Sequence, residues 1–276
     1  MENGKNGANI KNIFVQGLII VALFFAFWFS LSKINWVKIL HVEKATNTTE
    51  EKLGDLFWEF LKKTQKEVKT KSVNVALDSI VSKICTANNI DKNTIQVHII
   101  QSEEINAFAL PNRHLVINSA LILDSQNEAA LAGVIGHEIA HIQLSHVMKK
   151  LVKEIGLSVL ISMTTGKSGS GTIQDGLKLL SSSAYDRNLE KEADLKAVDY
   201  LIKADINPAP FADFLYQFSE SEEIPELKYL TWINTHPDSK ERAEYIVEYS
   251  ENKTKKSVPI LSITTWNKLK EKLADN

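Results

Sequence analysis

Two histidines and a glutamate within five consecutive residues are the strongest chemical signal in this sequence. The segment HEIAH runs from His137 to His141. On a helix, residues four apart project from one face about one turn apart, so both imidazoles can reach the same ion. Two histidine nitrogens at about 2.0–2.1 Å suit Zn²⁺, and Glu138 is placed to accept a proton from an attacking water. The pattern predicts the centre of a zinc hydrolase.

The residues around HEIAH favour a buried helix over an exposed one. They are small or apolar: Ala132, Gly133, Val134, Ile135, Gly136, Ile139 and Ala140. The alternative is a surface helix with two incidental histidines. Unpaired histidine and glutamate side chains are costly in an apolar neighbourhood, so the composition favours a working site that a substrate backbone can approach.

A catalytic zinc site needs a third protein ligand and leaves its fourth position to water or substrate. The segment RNLEKEAD, which begins at Arg187, supplies three candidates: Glu190, Glu192 and Asp194. Glu190 and Asp194 share a helix face and Glu192 lies nearly opposite. One face can therefore supply both a ligand and a carboxylate that orients a ligand histidine, but spacing alone leaves the choice open.

The elements that must position these residues are mostly helices, with a small sheet. Three short β-type runs are Ile95 to Ile100, Asn106 to Leu110 and His114 to Asn118. Polar and proline-containing segments separate them, which predicts a small antiparallel or mixed sheet.

Helical periodicity predicts the remaining elements. The central one is a long helix from about Gln126 to Lys150, capped by Ser125 or Asp124 with Glu128 in a capping box. The sequence also predicts helices at Val73 to Ala87, Ile155 to Met163, Asp186 to Ala204 and Phe211 to Phe218, and a flexible loop at Thr164 to Thr172.

An uncharged apolar stretch precedes this body. From Ile13 to Leu31 the chain is long enough, as a helix, to span a bilayer of roughly 30 Å. Lys11 and Lys33 bracket it. The bulky residues around Trp28, near its end, make a poor signal-cleavage site. The prediction is an uncleaved single-pass anchor; a cleaved signal peptide and a buried soluble helix are the alternatives. The lysines do not separate the two ends, and we expect the large domain on the extracytoplasmic side.

Composition excludes several other classes of protein. The net charge of -2 gives no basic field for nucleic acid. The single cysteine, Cys85, excludes an intramolecular disulfide framework and a multi-cysteine metal site.

We predict three regions: a tail and membrane anchor at 1–36, a helical linker at 37–72, and a metallopeptidase domain at 73–276.

Four segments in order resemble zinc metallopeptidase family 48, which includes HtpX-like proteases, CAAX prenyl proteases and the Oma and BepA types. They are NAFALPNRHLVINSALI, HEIAH, LEKEADLKA (Leu189 to Ala197) and THPDSKER (Thr235 to Arg242). The resemblance covers roughly Ile95 to Tyr249. It implies an α+β fold: a mainly helical, gluzincin-like zincin domain with a small sheet beside the active-site helix. A single clear span fits the single-anchor branch of the family.

The resemblance also implies roles for individual residues. Glu190 becomes the third ligand of one Zn²⁺ per subunit, beside His137 and His141, and Asp194 its supporting carboxylate. His236 would lie near the metal, either to bind the substrate carbonyl or oxyanion or to occupy the open coordination position in a resting state. Arg242 would support that side of the site.

One histidine and one turn are interpreted separately. His146 corresponds to a histidine often found nine positions after the first ligand, which on a continuous helix turns it to the opposite face; we interpret it as structural. Asn112 and Arg113 replace the family's usual glycine pair, so the rim of the groove is expected to differ in shape or charge.

The family's edge strand implies how substrate binds. Backbone groups of Asn106, Ala107, Phe108, Ala109 and Leu110 would pair with an extended polypeptide as an added strand. The predicted function is a zinc metalloendopeptidase acting on membrane-associated or misfolded proteins, in envelope protein quality control. The alternatives are a membrane-tethered chaperone or binding module with a latent zinc site, and a different zinc hydrolase that carries HExxH on an unrelated fold. Whether the chain forms an oligomer is left open.

Overall fold

The structure is a computed structural model, and it describes Gln16, residues 42–219, Trp232, residues 235–251, Lys253 and residues 257–275. The chain divides into two compact units, Met1–Thr48 and Thr49–Asn276. Apart from the first residues of the helix that begins at Val42, the features described below lie in the second unit. The predicted anchor from Ile13 to Leu31 lies outside the described residues, Gln16 excepted. Among the helices of the described part, none is both long and apolar enough to cross a bilayer.

A three-stranded sheet forms one wall of the site. The strands are β1 (Gln96–Ile100), β2 (Ala107–Leu110) and β3 (His114–Asn118), in the order β1-β3-β2. β1 runs parallel to β3, and β2 pairs antiparallel to β3 with Leu110 opposite His114. The sheet is therefore mixed, one of the two forms predicted from the sequence, and β2 is an edge strand of it, as the family resemblance implies.

The β2–β3 turn keeps a glycine-like backbone without glycine. Asn112 and Arg113 have φ of 57° and 58°, the left-handed region that glycine occupies at no steric cost. Gln96 Nε2 donates to Asn112 O at 3.1 Å, and Arg113 Nη1 donates to Thr94 Oγ1 at 3.1 Å. Asn112 and Arg113 thus adopt a backbone conformation that glycine adopts readily, and they place side chains at the two positions where the family resemblance implies glycine.

Helices make up most of the remainder. In chain order they are α1 (Val42–Thr64), α2 (Lys71–Ala87), α3 (Ser119–Asp124), α4 (Glu128–Gln143), α5 (His146–Glu154), α6 (Leu157–Thr164), α7 (Ser170–Ser182), α8 (Arg187–Lys203), α9 (Ala209–Ser219), α10 (Ser239–Ser250) and α11 (Ile263–Ala274). A single 3₁₀ turn, Lys92–Thr94, precedes β1. The mostly helical domain with a small sheet agrees with the predicted architecture.

The long helix predicted from Gln126 to Lys150 is wrong in two respects. Its N-cap is Asn127, whose side chain accepts from Ala130 N at 2.9 Å, not Ser125 or Asp124. The helix also breaks after Gln143, because Ser145 adopts a left-handed conformation (φ 56°, ψ 29°) and a new helix starts at His146. The predicted flexible loop is likewise shorter, since α7 begins at Ser170.

α4 is the central element of the fold. From Ala130 to His141 every residue of α4 is buried, and the helix packs against α2, α8, α9 and β2. Gly133 is needed for the contact with α9, because a Cβ at that position would lie 2.3 Å from the Cβ of Phe211. A helix buried on all sides holds its polar side chains rigidly, which suits a metal site.

Two apolar clusters flank the sheet and α4. The larger gathers α2, α4, α8, α9 and α11 with the inner face of β1 and β3. The smaller gathers Leu53, Phe57 and Trp58 of α1 with α5, α6 and α7. α1 approaches the β2–β3 turn so closely that a Cβ on Gly54 would lie 2.3 Å from Pro111 O. This part of α1 therefore packs as part of the body.

Candidate metal centre

His137 and His141 face the same point from consecutive turns of α4. Both side chains are fully buried, and their Nε2 atoms lie 2.9 Å apart. Burial, followed by the neighbouring His137, lowers the pKa of His141 to about 4. A neutral imidazole with a free lone pair is the form that binds a metal.

α8 brings a carboxylate to the same point. Glu190 lies in its first turn, with Oε1 3.4 Å from His141 Nε2 and Oε2 3.6 Å from His137 Nε2. Burial raises the pKa of Glu190, but His236 and Arg242 outweigh burial and hold it well below the ordinary value. Of the three acidic candidates in RNLEKEAD, Glu190 is the one whose oxygens lie near Nε2 of both histidines.

His236 approaches from the segment before α10. Its Nδ1 lies 2.9 Å from both carboxylate oxygens of Glu190 and 3.3 Å from His137 Nε2. Its Nε2 faces Glu138 Oε1 at 3.3 Å. Although burial lowers the pKa of His236, the carboxylates of Glu190 and Glu138 raise it above its usual value.

These four side chains fit a zinc ion. One ligand atom from each of His137, His141, Glu190 and His236 lies within 4.8 Å of all the others. In a tetrahedral site with metal–ligand distances of about 2.0–2.1 Å, ligand atoms are separated by roughly 3.3 Å. The separations given above run from 2.9 to 3.6 Å. Nitrogen and carboxylate oxygen donors are the set that zinc takes in catalytic sites.

Glu138 lies beside this cluster rather than within it. Its carboxylate is buried, and Oε1 accepts from Trp232 Nε1 at 3.2 Å. Burial raises the pKa of Glu138, but the hydrogen bond and charge of His236, with His137 and His141, outweigh burial and lower it. An ionised carboxylate held by an indole N–H and an imidazole is poised to accept a proton.

Arg242 of α10 donates hydrogen bonds that hold the residues around the cluster in place. Arg242 Nε donates to Asp194 Oδ2 at 2.8 Å, and Nη2 donates to Oδ1 at 2.7 Å. Asp194 Oδ1 in turn lies 2.8 Å from His137 Nδ1. Burial raises the pKa of Asp194, yet Arg242 and His137 hold it far below its usual range. Arg242 also donates from Nη1 to His236 O at 2.8 Å, so one guanidinium fixes parts of both α8 and the His236 segment.

Four residues near the centre were not recognised from the sequence as parts of the site. The ring of Tyr185 lies 4.2 Å from that of His141, and Trp232 contacts Glu138. The Tyr245 hydroxyl donates to Asp194 Oδ2, and His146 Nδ1 lies 3.0 Å from His141 Nδ1. His146 had a sequence signal, its spacing of nine residues from His137, but was interpreted as structural. Tyr245 could have been found from its position three residues after Arg242 on the same helix face.

The predicted substrate strand is covered in this structure. Asn106 and all four residues of β2 are buried, and α7 lies against β2. Asn106 Nδ2 donates to Ser181 O of α7 at 2.9 Å. An extended polypeptide can therefore reach the edge of β2 only when the covering residues move.

Comparison with known proteins agrees with this geometry. The sequence model of peptidase family M48 matches residues 71–250, which include the four residues of the cluster. The chain belongs to peptidase family M48. Metalloproteases of this family use zinc, and the cluster of His137, His141, Glu190 and His236 is able to bind a metal ion.

Individual relatives have a low sequence identity to the chain, and each of the three described here is named as a protease. The chain is 28% identical over 166 residues to metalloprotease LoiP of Escherichia coli (strain K12), an alignment covering 58% of this chain and 64% of that protein. It is 27% identical over 201 residues to the mitochondrial metalloendopeptidase OMA1 of Bos taurus, covering 66% and 38%. It is 24% identical over 205 residues to the beta-barrel assembly-enhancing protease of Escherichia coli (strain K12), covering 68% and 41%. The matches thus span less than two thirds of each of these relatives.

Proposed function

We propose that this M48 chain is a zinc-dependent endopeptidase that hydrolyses membrane-associated or misfolded proteins, as part of envelope protein quality control. One observation carries the proposal: HEIAH and Glu190 meet in one buried cluster, with the carboxylate of Glu138 immediately beside it. The names of the relatives support this proposed role, since one is a beta-barrel assembly-enhancing protease and another is a mitochondrial metalloendopeptidase.

The residues divide the reaction between them. Bound Zn²⁺ would lower the pKa of water towards about 7 and polarise the scissile carbonyl. Glu138 accepts the proton of the attacking water and passes it to the leaving amine. His236 leaves the ligand cluster when substrate enters, and its ring then donates a hydrogen bond to the oxyanion. Arg242 and Asp194 hold the cluster in place throughout.

The substrate would bind as an extended chain. In this proposal the backbone groups of Asn106 to Leu110 pair with it as an added strand once the edge of β2 is uncovered. Only unfolded or flexible segments can adopt that conformation at low cost, which favours misfolded proteins over folded ones as substrates.

Location and domain organisation also belong to the proposal. An uncleaved helix from Ile13 to Leu31 would anchor the chain as a single-pass protein, with the catalytic domain on the extracytoplasmic side, the periplasm if the source is bacterial. The proposed division is an anchor at 1–36, a helical linker at 37–72, of which the part around Leu53, Phe57 and Trp58 packs on the body, and a metallopeptidase domain at 73–276. The length and apolar character of the stretch support the anchor.

Metal removal tests the proposed activity. The full chain should hydrolyse casein, an unfolded substrate, and a zinc chelator should abolish hydrolysis because His137, His141 and Glu190 then hold no metal. Adding zinc back after the chelator is removed should restore hydrolysis. Hydrolysis that continues unchanged in metal-free protein would overturn the proposal.

A second candidate function is a membrane-tethered chaperone or binding module with a latent zinc site. The observation that favours it is the closed arrangement, in which His236 Nδ1 joins the ligand cluster and β2 is covered. In the same casein experiment this alternative predicts zinc binding and casein binding without cleavage.

A further inference from the structure

The two ligand histidines of α4 each have a second ring nitrogen directed away from the cluster. For His137 that nitrogen, Nδ1, lies 2.8 Å from Asp194 Oδ1. For His141 it lies 3.0 Å from Nδ1 of His146. His146 is fully buried, and its other nitrogen, Nε2, lies 3.3 Å from Glu192 Oε2 of α8. The two ligands therefore have matching supports, one through a carboxylate and one through another histidine.

A break in the helix creates this contact. On a continuous helix His146 would lie about 140° around the axis from His141, out of reach of its ring. The structure ends α4 at Gln143 and starts α5 at His146. Between them Ser145 has a left-handed backbone, an unfavourable conformation for a residue with a Cβ. The redirected chain brings the rings of His141 and His146 to a centroid distance of 5.0 Å.

Hydrogen-bond accounting fixes the direction of each contact. If His141 binds zinc through Nε2, its proton lies on Nδ1, which must donate. His146 Nδ1 then accepts, so the proton of a neutral His146 lies on Nε2 and is donated to Glu192. Each ring nitrogen of His141 and His146 has a partner in this one arrangement.

We propose that His146 is a positioning residue for zinc: it accepts the proton of His141 Nδ1 and so holds the lone pair of His141 Nε2 towards the metal. Glu192 fixes the tautomer of His146 from the solvent side, where its own side chain is half exposed. This inference rests on the proposed function, because it assigns His141 as a zinc ligand. It replaces the interpretation of His146 as a structural residue on the opposite helix face.

Two polar substitutions of equal charge test the acceptor directly. In His146→Asn the amide oxygen can occupy the place of Nδ1, whereas in His146→Gln the amide lies one methylene further out and cannot. His146→Leu removes the acceptor entirely. Val147→Ala is the matched control, because Val147 is the next residue of α5 and is buried in the smaller apolar cluster. All four are made in the full chain.

Zinc affinity by chelator competition and the visible absorption of the Co²⁺-substituted protein are the readouts. We expect His146→Gln and His146→Leu to bind zinc about 10- to 100-fold more weakly than the wild type, as for other partners of ligand histidines, with a changed Co²⁺ spectrum. His146→Asn should stay close to the wild type in both, and Val147→Ala should lose thermal stability but keep its zinc affinity.

The outcomes separate this inference from the proposed function. Wild-type affinity and an unchanged Co²⁺ spectrum in His146→Gln would overturn the positioning role while leaving a zinc peptidase intact. Equal weakening of His146→Asn and His146→Gln would also overturn it, because volume rather than the acceptor would then matter. Should His146→Leu fail to fold, the Asn and Gln pair still decides. A wild type that binds no zinc overturns the proposed function and this inference together.

Discussion

At the scale of single residues, Arg242 is the most connected support of the metal centre. It is buried, holds both oxygens of Asp194, donates to His236 O and lies 3.1 Å from Glu190 Oε2. A planar guanidinium can make these contacts together, and a single ammonium cannot. A lysine at position 242 would keep the positive charge but lose this planar geometry.

Arg242→Lys should lower zinc affinity by about 10- to 100-fold, because Asp194 and His236 are then no longer held in place. Chelator competition measures the loss. Arg187→Lys is the control: Arg187 pairs with Asp238 in a similar two-point contact, but it is exposed, and exposed ion pairs contribute little. Equal zinc affinity in Arg242→Lys and the wild type would contradict this supporting role of Arg242.

The sequence was informative where one helix carried the whole pattern. HEIAH on α4 could be read from spacing, and the structure brings His137 and His141 together. The choice between Glu190 and Glu192 could not be made from spacing, because it depends on which face of α8 packs on α4. Tyr185 and Trp232 lie far from HEIAH in sequence, so only tertiary packing brings them to the centre.

At the scale of elements, two histidines connect α1 to the sheet. His98 on β1 stacks on Trp58 of α1 at a ring distance of 3.6 Å. Its Nε2 lies 2.8 Å from His114 Nδ1 on β3. The charged groups that face this pair are Asp55, Lys62 and Glu67. Burial, followed by the neighbouring His114, lowers the pKa of His98 to about 3.

Acid should therefore loosen the contact between α1 and the sheet. Below about pH 6.5 the unfolded chain takes up a proton at His98 that the folded chain does not accept until about pH 3. The folded state thus loses stability as pH falls through this window, by at most about 1.4 kcal/mol per pH unit from this one group.

Urea unfolding of metal-free wild type and His98→Gln between neutral pH and about pH 4.5 measures the effect. The free energy of unfolding should fall less steeply with acidity in His98→Gln, because glutamine does not titrate. The histidines of the metal centre are present in both proteins and cancel in the difference. Parallel pH profiles for the two proteins would show that His98 is not the responsive group.

The boundaries of helices and strands were predictable where residues close to them in sequence determine them. The three strands and the start of α8 after Asp186 follow their sequence signals closely. The break between α4 and α5 did not, because no glycine or proline marks it. Ser145 adopts a left-handed backbone there, and the contact of His146 with His141 that accompanies it is visible only in three dimensions.

At the scale of the whole molecule, the buried helix α4 connects the metal-binding cluster to the sheet and to the neighbouring helices. α4 carries two of the proposed ligands and the proposed base, packs on the helix that carries the third proposed ligand, and lies against β2. The family could be recognised from the sequence because four motifs occur in order around this helix. The covering of β2 could not, because it depends on the position of α7 in the folded chain.

We propose that Glu138 acts as the general base at a zinc ion that it does not bind. Zinc content and casein hydrolysis measured on the same samples of wild type and Glu138→Gln test it most directly. We predict about one zinc per chain in both proteins, with hydrolysis by Glu138→Gln about 10²- to 10⁴-fold slower, the usual contribution of a general base. Zinc-dependent hydrolysis by Glu138→Gln at the wild-type rate would contradict this role of Glu138.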